Sequence, residues 1–530
     1  MTRPAWRSPA TTPYAGRDIS TLLRDRAQQF GDKPFLIWEP FDDGRRVWSY
    51  AAFDAAVTRL ARGLQLRGVK AGEFVLIHLE NCPEALLTWH ACARLGAVAV
   101  TTNTRSSPGE LAYFAEHSAP VAAITQPKYA ALVREAATTA KFVLVADKDG
   151  DSTGDHGPAP EAADRLEALF DTNPEGLELV TPDPWRPLSV QYTSGTTSRP
   201  KGVLWTHANG LWGGEVSARH EGLTAHDVHY VHLPLFHTNA QVYSSLASLW
   251  TGATIVLAPR FSASRFWEVS VRNGCTWSSM IPFCVRALAD QPIPKEHRYR
   301  WWAPAIAMPQ VEPMFGLSTM GWWGMTETVT HGILTGLADR SPFRSIGRCA
   351  PEYEIAILHE DGTPCREGET GELLIKGVPG LSLFHSYLHN PEATAAAFDD
   401  QGYMITGDRV TLGEGGHLFF ADRAKDMLKV GGENVAASEI EAVVAAVPGV
   451  AEVAVVGKPD PMLDEVPVAF IIAAAGVDQA GVETAVYAAC KAALADFKQV
   501  REVRFLSEFP RATLEKVAKV ELKRQLTEAT

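Results

Sequence analysis

Apolar and polar positions alternate along the first part of the chain in a pattern typical of strand–helix–strand units. The apolar run at 74–77 predicts a strand, 83–95 predicts a helix that begins with a proline, and 97–100 predicts the next strand. Because alternating strands and helices favour parallel pairing, this stretch predicts a βαβ unit.

A second alternation follows further along the chain. Its predicted elements are a strand at 228–232, a helix at 241–249, a strand at 254–257 and a helix at 262–272. Between the two series, 147–187 is rich in Asp, Gly and Pro and predicts a surface excursion with one short helix at 161–170. The fold class is therefore predicted to be α/β, with parallel sheets covered by helices.

The pattern starts again after residue 422. It predicts a helix at 438–446, strands at 453–456 and 468–472, and a helix at 483–494. About a hundred residues are enough for an independent domain. We therefore predict an N-terminal domain over 1–421 and a C-terminal domain over 422–530.

Composition narrows the class of protein. The 530 residues are 46% hydrophobic, which is enough to bury more than one core. The net charge of −13, from 62 acidic and 49 basic residues, argues against a surface that binds nucleic acid. The seven cysteines are scattered without C-x-x-C spacing, and no apolar run approaches the roughly 20 residues of a membrane span. We expect a cytoplasmic protein with no membrane span, and a homodimer is left open.

The first candidate for a functional site is the segment 192–202, which is rich in hydroxyl side chains and glycines and contains one lysine. Such a loop can wrap a polyphosphate with backbone N–H groups, hydroxyls and a positive charge. It is not a Walker loop, because Pro200 and Gly202 stand where that motif needs Gly and Ser or Thr. The alternative to a phosphate-binding loop is a polar turn that binds no ligand. The candidate nucleotide-binding residues here are Thr193, Ser194, Gly195, Thr196, Thr197 and Lys201.

Further motifs follow this loop at 323–328, 406–408, 422–423 and 516. In this order they resemble the adenylate-forming superfamily of acyl-CoA synthetases, luciferases and peptide-synthetase adenylation domains, from about residue 20 onward. The segments that look most like the crotonobetaine/carnitine-CoA ligases are 190–192, 236–237, 266–267, 375–380 and 431–435.

The resemblance implies an architecture and a reaction. The architecture is a large N-terminal domain of helix-covered mixed sheets with a small, mobile α+β C-terminal domain. The reaction is that of an AMP-forming carboxylic acid–CoA ligase, which uses ATP, Mg²⁺ and coenzyme A. An enzyme that passes the activated group to an amine or a carrier-protein thiol is the alternative, and a binding protein without catalysis is a third. The sequence leaves the identity of the acid open.

Lys516 matches the catalytic lysine of the family, which bridges the substrate carboxylate and the α-phosphate. Adenylation brings two anions together, so a cation is the right residue type for this task. The alternative is a solvated lysine on a basic C-terminal helix. The sequence departs from the family pattern at Glu515, where Gly is usual.

The motif at 323–328 supplies further candidates for the nucleotide site. By resemblance, Thr326 donates to the α-phosphate and Glu327 is the magnesium-contacting carboxylate, a hard oxygen ligand suited to that ion. By the same resemblance, Trp323 occupies the position of a Tyr that usually stacks on adenine, and it is assigned to the nucleotide site with Gly324 and Met325; burial in the core is the alternative. A second departure is Trp302-Ala303-Pro304-Ala305, where many members have a Gly-rich segment.

Other candidates serve the ribose, the acid and the second half-reaction. By resemblance, Asp408 accepts hydrogen bonds from the ribose hydroxyls and Arg423 helps to hold the sugar. His237 matches a position that lines the carboxylate site. The hinge for domain rotation is Lys425, and the residues that would face pantetheine after rotation are Lys429, Gly431 and Gly432. Trp205, Trp212, Trp250, Trp302 and Trp322 are either core residues or the walls of an acyl pocket.

Overall fold

A computed structural model describes most of the chain, in two compact units. The first unit comprises described residues up to 193, 200–354 and 376–403, and the second comprises 355–375 and those from 404 onward. The predicted boundary at 421/422 remains a prediction. The described residues are 12–42, 44–106, 108–153, 156–193, 200–423, 427–430, 433–461, 463–494, 496–511 and 517–528.

The strands are numbered in chain order. The strands up to residue 349 are β1 (Pro34–Trp38), β2 (Arg46–Ser49), β3 (Phe74–His78), β4 (Val98–Thr101), β5 (Ala122–Thr125), β6 (Phe142–Val145), β7 (Pro187–Thr193), β8 (Lys201–Thr206), β9 (Val228–Val231), β10 (Thr254–Leu257), β11 (Trp277–Ser279), β12 (Trp301–Ala305), β13 (Ser318–Trp323), β14 (Ile333–Leu334) and β15 (Ser345–Cys349). The later strands are β16 (Glu354–Leu358), β17 (Thr370–Lys376), β18 (Ser386–Tyr387), β19 (Met404–Leu412), β20 (Leu418–Arg423), β21 (Met427–Val430), β22 (Glu433–Ala436), β23 (Val450–Asp460), β24 (Asp464–Ala473) and β25 (Glu502–Phe505).

The α-helices are numbered in the same way. They are α1 (Ile19–Phe30), α2 (Tyr50–Leu66), α3 (Pro83–Leu95), α4 (Pro108–Ser118), α5 (Ala130–Ala136), α6 (His207–His220), α7 (Ala247–Thr251), α8 (Ala263–Asn273), α9 (Pro282–Ala289), α10 (Glu312–Phe315), α11 (Pro391–Ala396), α12 (Ala437–Ala445), α13 (Gln479–Ala493) and α14 (Lys519–Glu528).

Two sheets organise the first unit. In one, β6, β5, β3, β4 and β7 pair in parallel, and β8 and β18 add antiparallel strands. In the other, β1, β10, β9, β11, β12 and β13 are parallel, whereas β2, β14 and β15 pair antiparallel. The predicted α/β class with mixed, helix-covered sheets is confirmed.

The strand β3, the helix α3 and the strand β4 form the predicted βαβ unit. Pro83 starts α3 at a position where a missing N–H costs nothing, and Gly96 ends it with a left-handed backbone (φ 72°). Every residue of α3 is buried, because the helix packs against α2 as well as against the sheet. A helix buried on all sides explains why its apolar pattern is continuous rather than one-sided.

The second unit contains an antiparallel pair of strands, β19 and β20, and a separate sheet of β21 to β25 around β23 and β24. The helices α12 and α13 cover that sheet, and their apolar side chains meet Val455, Ala469 and Ile471 in one core. The predicted α+β character of the C-terminal part is confirmed.

Two predicted helices differ from the structure in type. The helix predicted at 241–249 consists of a π-helix, Asn239–Leu246, followed by α7. The short helix predicted at 161–170 consists of two 3₁₀ turns, Ala162–Asp164 and Glu167–Asp171. Periodicity alone does not distinguish helices of 3.0, 3.6 and 4.4 residues per turn over such short stretches. Among the described residues, no helix combines the length and apolar character needed to cross a bilayer.

Candidate functional site

The hydroxyl-rich loop is flanked by the two strands of a hairpin. Thr193 at the end of β7 and Lys201 at the start of β8 are direct antiparallel partners, and the Thr193 hydroxyl lies 3.4 Å from the Lys201 carbonyl oxygen. The loop residues Ser194, Gly195, Thr196 and Thr197 lie outside the described residues. The structure therefore places both flanks of the predicted phosphate loop at one end of a hairpin.

The loop end of this hairpin is held by side chains from α4. The Tyr113 hydroxyl donates to the Pro200 carbonyl oxygen (3.0 Å), and the ring of Phe114 stacks on Tyr192 with centroids 4.3 Å apart. His117 Nδ1 lies 2.9 Å from the Tyr192 hydroxyl. These contacts fix where the loop leaves and re-enters the sheet.

The motif at 323–328 turns sharply where β13 ends. The Thr328 hydroxyl accepts a hydrogen bond from the Met325 N–H (2.9 Å), and Thr326–Thr328 forms one 3₁₀ turn. A Cβ at Gly324 would lie 2.5 Å from the Tyr243 hydroxyl and 2.9 Å from the Thr330 carbonyl oxygen. Glycine is required there because the motif passes close to Tyr243.

Glu327 is held in place by Tyr387 of β18. Glu327 is only 3% exposed, and its Oε1 accepts a hydrogen bond from the Tyr387 hydroxyl (2.8 Å). Burial and the neighbouring carboxylate raise the pKa of Tyr387 well above its usual value, so the phenol remains a donor. The Lys201 ammonium lies 4.6 Å from the centre of the same ring. Tyr387 thus links two predicted residues that are 126 positions apart in sequence.

Thr326 belongs to a chain of polar side chains. Its hydroxyl lies 3.4 Å from that of Thr238, which donates to Gln191 Oε1 (2.9 Å). The Gln191 amide in turn donates to Gln241 Oε1 (2.5 Å), and the indole of Trp205 donates to the Thr326 carbonyl oxygen (3.0 Å). Both the backbone and the hydroxyl of Thr326 are therefore positioned by neighbours.

His237 lies half-buried beside this chain, immediately before Thr238. Its backbone N–H donates to the Pro234 carbonyl oxygen (3.1 Å), and its ring meets Phe236 edge-on with centroids 4.6 Å apart. The π-helix begins two residues later at Asn239. A π-helical turn is rare and is frequently found at functional sites.

Sequence reasoning missed Tyr387, Thr238, Gln191 and Tyr243. Three of them lie in or next to a predicted segment: Thr238 follows His237, Gln191 precedes the loop, and Tyr243 lies in a predicted helix. The segment of Tyr387 carries no such signal, because a single tyrosine among mixed apolar and polar residues has no distinctive pattern.

The tryptophans predicted as core or pocket residues differ in where they lie. Trp205 and Trp302 are fully buried, and Trp302 lies in the core beneath the parallel strands. Trp323 is 6% exposed at the end of β13, where it pairs with Ile333. Its stacking on adenine remains a prediction.

Two non-glycine residues next to these segments have a left-handed backbone. They are Ala305 (φ 69°), in the segment that departs from the family pattern, and Val329 (φ 64°), which follows the 3₁₀ turn. Such conformations cost on the order of 1–3 kcal/mol each and cluster at ligand sites. Their positions agree with a binding role for both segments.

In the second unit, Asp408 and Arg423 are direct partners in the β19–β20 pair. Asp408 is 5% exposed, and its backbone N–H donates to the Thr406 hydroxyl (3.0 Å). The two residues predicted to hold one sugar thus lie opposite each other on neighbouring strands. Lys429 lies on β21, opposite Asn434. Lys425, Gly431, Gly432 and Lys516 lie outside the described residues.

A separate open cavity is lined by Arg45, Arg46, Glu84, Asp149 and Glu167, among others, and none of the predicted site residues lines it. Arg46 is paired with Glu84 (2.7 Å). Because Arg45, Arg46 and Glu84 already form ion pairs within the protein, we assign this cavity no part in the chemistry.

The link through Tyr387 leads to a testable prediction. Tyr387→Phe keeps the ring beside Lys201 but removes the hydrogen bond to buried Glu327. A hydrogen bond to a charged group contributes about 1.5–3 kcal/mol, so we expect kcat/KM for MgATP to fall by about 10- to 100-fold. The measurement is pyrophosphate release as a function of Mg²⁺ concentration, whose half-saturation point is expected to rise.

Tyr50→Phe is the matched control, because it also deletes one buried phenol, which donates to the Ala253 carbonyl oxygen (2.6 Å). An equal shift of the Mg²⁺ dependence in both variants would contradict a specific role for Tyr387.

The fold and the family match define the class of protein, a nucleotide-binding α/β enzyme. A role for the hydroxyl-rich loop, Lys201 and buried Glu327 in binding a polyphosphate remains a prediction. The chain belongs to the AMP-binding enzyme family, whose model matches residues 23–388, and the AMP-binding enzyme C-terminal domain matches residues 439–516.

Individual relatives agree with this assignment. The chain is similar to a crotonobetaine/carnitine–CoA ligase of Salmonella agona (strain SL483), with 31% identity over 524 residues that cover 96% of this chain and 99% of the relative. It is also similar to the solved structure of o-succinylbenzoate coenzyme A synthetase from Bacillus subtilis in complex with AMP (TM-score 0.81, 27% identity, 95% and 98% of the two chains). The ATP-bound structure of MatB from Rhodopseudomonas palustris shares the fold (TM-score 0.83, 24% identity, 97% and 100%).

Proposed function

We propose that this protein is an AMP-forming carboxylic acid–CoA ligase. In the first step, a carboxylate oxygen attacks the α-phosphorus of ATP and pyrophosphate leaves, which produces an acyl-adenylate. In the second step, the thiol of coenzyme A attacks the acyl carbon, the carbon–oxygen bond to AMP breaks, and a thioester forms. The arrangement of Lys201, Tyr387 and Glu327 beside the hairpin is the observation that carries the proposal, together with the family match over both parts of the chain.

The residues around Glu327 fit a magnesium ion. Glu327 is a buried carboxylate whose Oε1 is held by a phenol, which orients the group, and Mg²⁺ prefers hard oxygen ligands. We propose that Glu327 holds the ion through its carboxylate. When bound, the ion would neutralise charge on the phosphates of ATP.

The chain's own residues supply binding and orientation. Lys201 places a positive charge beside the predicted phosphate loop. The Thr326 hydroxyl, which lies 3.4 Å from that of Thr238, is proposed to donate to the α-phosphate. We propose that Asp408 and Arg423 bind the ribose, Trp323 contacts adenine, and His237 lines the carboxylate site. Lys516 is proposed to bridge the two reacting anions, and Lys429, Gly431 and Gly432 to contact coenzyme A.

The seven cysteines, all among the described residues, are free thiols. Reduced thiols are the norm in the cytosol, which supports a cytoplasmic location.

The test is release of AMP and pyrophosphate with ATP and Mg²⁺ across carnitine-like, short-chain, fatty, aromatic and polycyclic acids, each with and without coenzyme A. Turnover that requires coenzyme A and yields a thioester is expected. Pyrophosphate release without a thioester would point instead to an amine or carrier-protein acceptor. No release with any acid would support a binding protein without catalysis.

A further inference from the structure

Behind the motif at 323–328, four aromatic rings lie in contact in a row, which we call the aromatic stack. The ring of His331 lies on Trp322 with centroids 4.2 Å apart and planes within 16°, and Tyr243 approaches His331 at 4.1 Å with its plane tilted by 51°. Trp277 continues the stack on the far side of Trp322 at 5.8 Å, again within 16°. None of the four side chains is more than 6% exposed. One member of the stack, Tyr243, packs directly against Gly324.

Tyr243 is the member of the stack that reaches toward the reaction site. Its hydroxyl lies 2.5 Å from where a Cβ on Gly324 would be, two residues before Thr326. Among the residues that the structure describes, none hydrogen-bonds the Tyr243 hydroxyl. A buried phenol normally has a polar partner, so this hydroxyl is suited to meet a group on a ligand.

The π-helix connects Tyr243 with the predicted carboxylate site. Thr238 and Tyr243 are five residues apart, which is the spacing that one turn of a π-helix brings onto one face. Thr238 contacts Thr326, and Tyr243 approaches Gly324. An acid whose carboxylate lies at Thr326 and His237 would therefore extend along this face toward the Tyr243 hydroxyl.

A chain of acidic and imidazole side chains supports the stack from behind, and we call it the His–Glu chain. It consists of Glu352, His220, His331, Glu221 and His229. His220 Nε2 lies 2.9 Å from Glu352 Oε2, and His220 Nδ1 lies 3.4 Å from His331 Nδ1. The Glu221 carboxyl group then lies 4.0 Å from each of the imidazoles of His331 and His229.

Burial disfavours charge on the inner members of the His–Glu chain. Burial raises the pKa of Glu221 well above its usual range, lowers the pKa of His229 to about 3 and lowers that of His331 well below its usual value. Two imidazoles face the Glu221 carboxyl group, and the ring of His331 separates it from Tyr243. Glu221 is therefore not placed to pair with a cationic group of a substrate.

We propose that Tyr243 determines specificity at the closed end of the acyl pocket, and that the acid is compact and carries a neutral hydrogen-bonding group, such as a hydroxyl or carbonyl, that meets the Tyr243 hydroxyl. The proposal rests on the proposed ligase function and names its substrate class. A long alkyl chain would collide with the aromatic stack and is therefore disfavoured. A quaternary ammonium has no N–H to donate to the phenol, and the ring of His331 separates the Glu221 carboxyl group from Tyr243. The His–Glu chain positions His331, and through it Tyr243.

The test compares pairs of short acids that differ by one hydroxyl or keto group, together with a carnitine-like acid and a long-chain fatty acid. For wild type, we expect kcat/KM for CoA-dependent AMP formation to be highest for the polar member of at least one pair. Tyr243→Phe is expected to reduce that preference about tenfold, mainly by lowering kcat/KM for the polar acid. Tyr50→Phe, which removes a buried phenol elsewhere in the same unit, is expected to leave the preference unchanged.

A second variant tests the closed end separately. Trp322→Ala shortens the stack, and we expect it to accept a longer acid at least tenfold better relative to the short one. Two results would overturn the inference while leaving the proposed ligase function intact. One is a wild-type enzyme that prefers the carnitine-like or the long-chain acid, and the other is a preference for the polar acid that is unchanged in Tyr243→Phe. Absence of AMP formation with every acid would instead refute the proposed function.

Discussion

Lys516→Ala is expected to slow formation of the acyl-adenylate by about 10²–10³-fold, the usual effect of removing one group that stabilises developing charge. The reason is that the substrate carboxylate and the α-phosphate are both anions, and Lys516 is proposed to lie between them. The measurement is pyrophosphate release with a saturating acid. Thioester formation from a pre-formed acyl-adenylate and coenzyme A is expected to proceed close to the wild-type rate, because this lysine has no proposed part in the second step.

Lys523→Ala is the matched control, since it removes another lysine from the same C-terminal region. The Lys523 ammonium lies 3.9 Å from Glu465 Oε1, and its side chain is 43% exposed, so its loss is expected to have little effect on either step. Equal losses in the two variants would show that the region needs positive charge in general. Loss of both half-reactions in Lys516→Ala would contradict a role confined to adenylation.

The first unit is expected to lose stability steeply when the pH falls below 6.5. Burial strongly lowers the pKa of six histidines, to about 4 for one, about 3 for four, and well below the usual value for the last. In that order they are His78, then His90, His207, His229 and His232, and finally His331. Each is neutral in the folded protein, whereas the unfolded chain protonates it near pH 6.5.

The direction of this change in stability follows from the number of protons that the folded and unfolded states bind. Between pH 6.5 and about 4.5, the unfolded chain holds more protons on these histidines, so falling pH favours unfolding. Two carboxyl groups act in the opposite direction: burial raises the pKa of Glu167 to about 7 and raises that of Glu221, so both retain protons in the folded state. The net difference of about four protons corresponds to a loss of roughly 5 kcal/mol per pH unit once the pH is a unit below 6.5.

Urea denaturation at pH 7.5, 6.5, 6.0 and 5.5 measures this effect through the free energy of unfolding. A loss of this size is comparable with the whole stability of many proteins, about 5–15 kcal/mol. His90→Gln, which removes one buried titrating group, is expected to reduce the pH slope by about 1.4 kcal/mol per unit. A free energy of unfolding that stays constant from pH 7 to 5.5 would contradict the prediction.

The secondary structure was largely predictable because it depends on local pattern and capping. The helix at 83–95 was predicted with the bounds that α3 has, since Pro83 and Gly96 mark its ends. The strands at 74–77 and 254–257 were confirmed as β3 and β10, because short apolar runs between polar segments leave few alternatives. The π-helix was not predictable, because its extra residue per turn is stabilised by surrounding packing.

The sequence by itself determined the α/β class, the order of the elements and the segments that carry the chemistry, because these depend on neighbours in the chain and on motifs of a few residues. Only the tertiary structure decided which side chains meet. Tyr387 joins Lys201 to Glu327, and Tyr243 meets Gly324 in front of His331, across separations of 60 to 186 residues. Contacts of that kind depend on how strands and helices pack, and no local pattern encodes them.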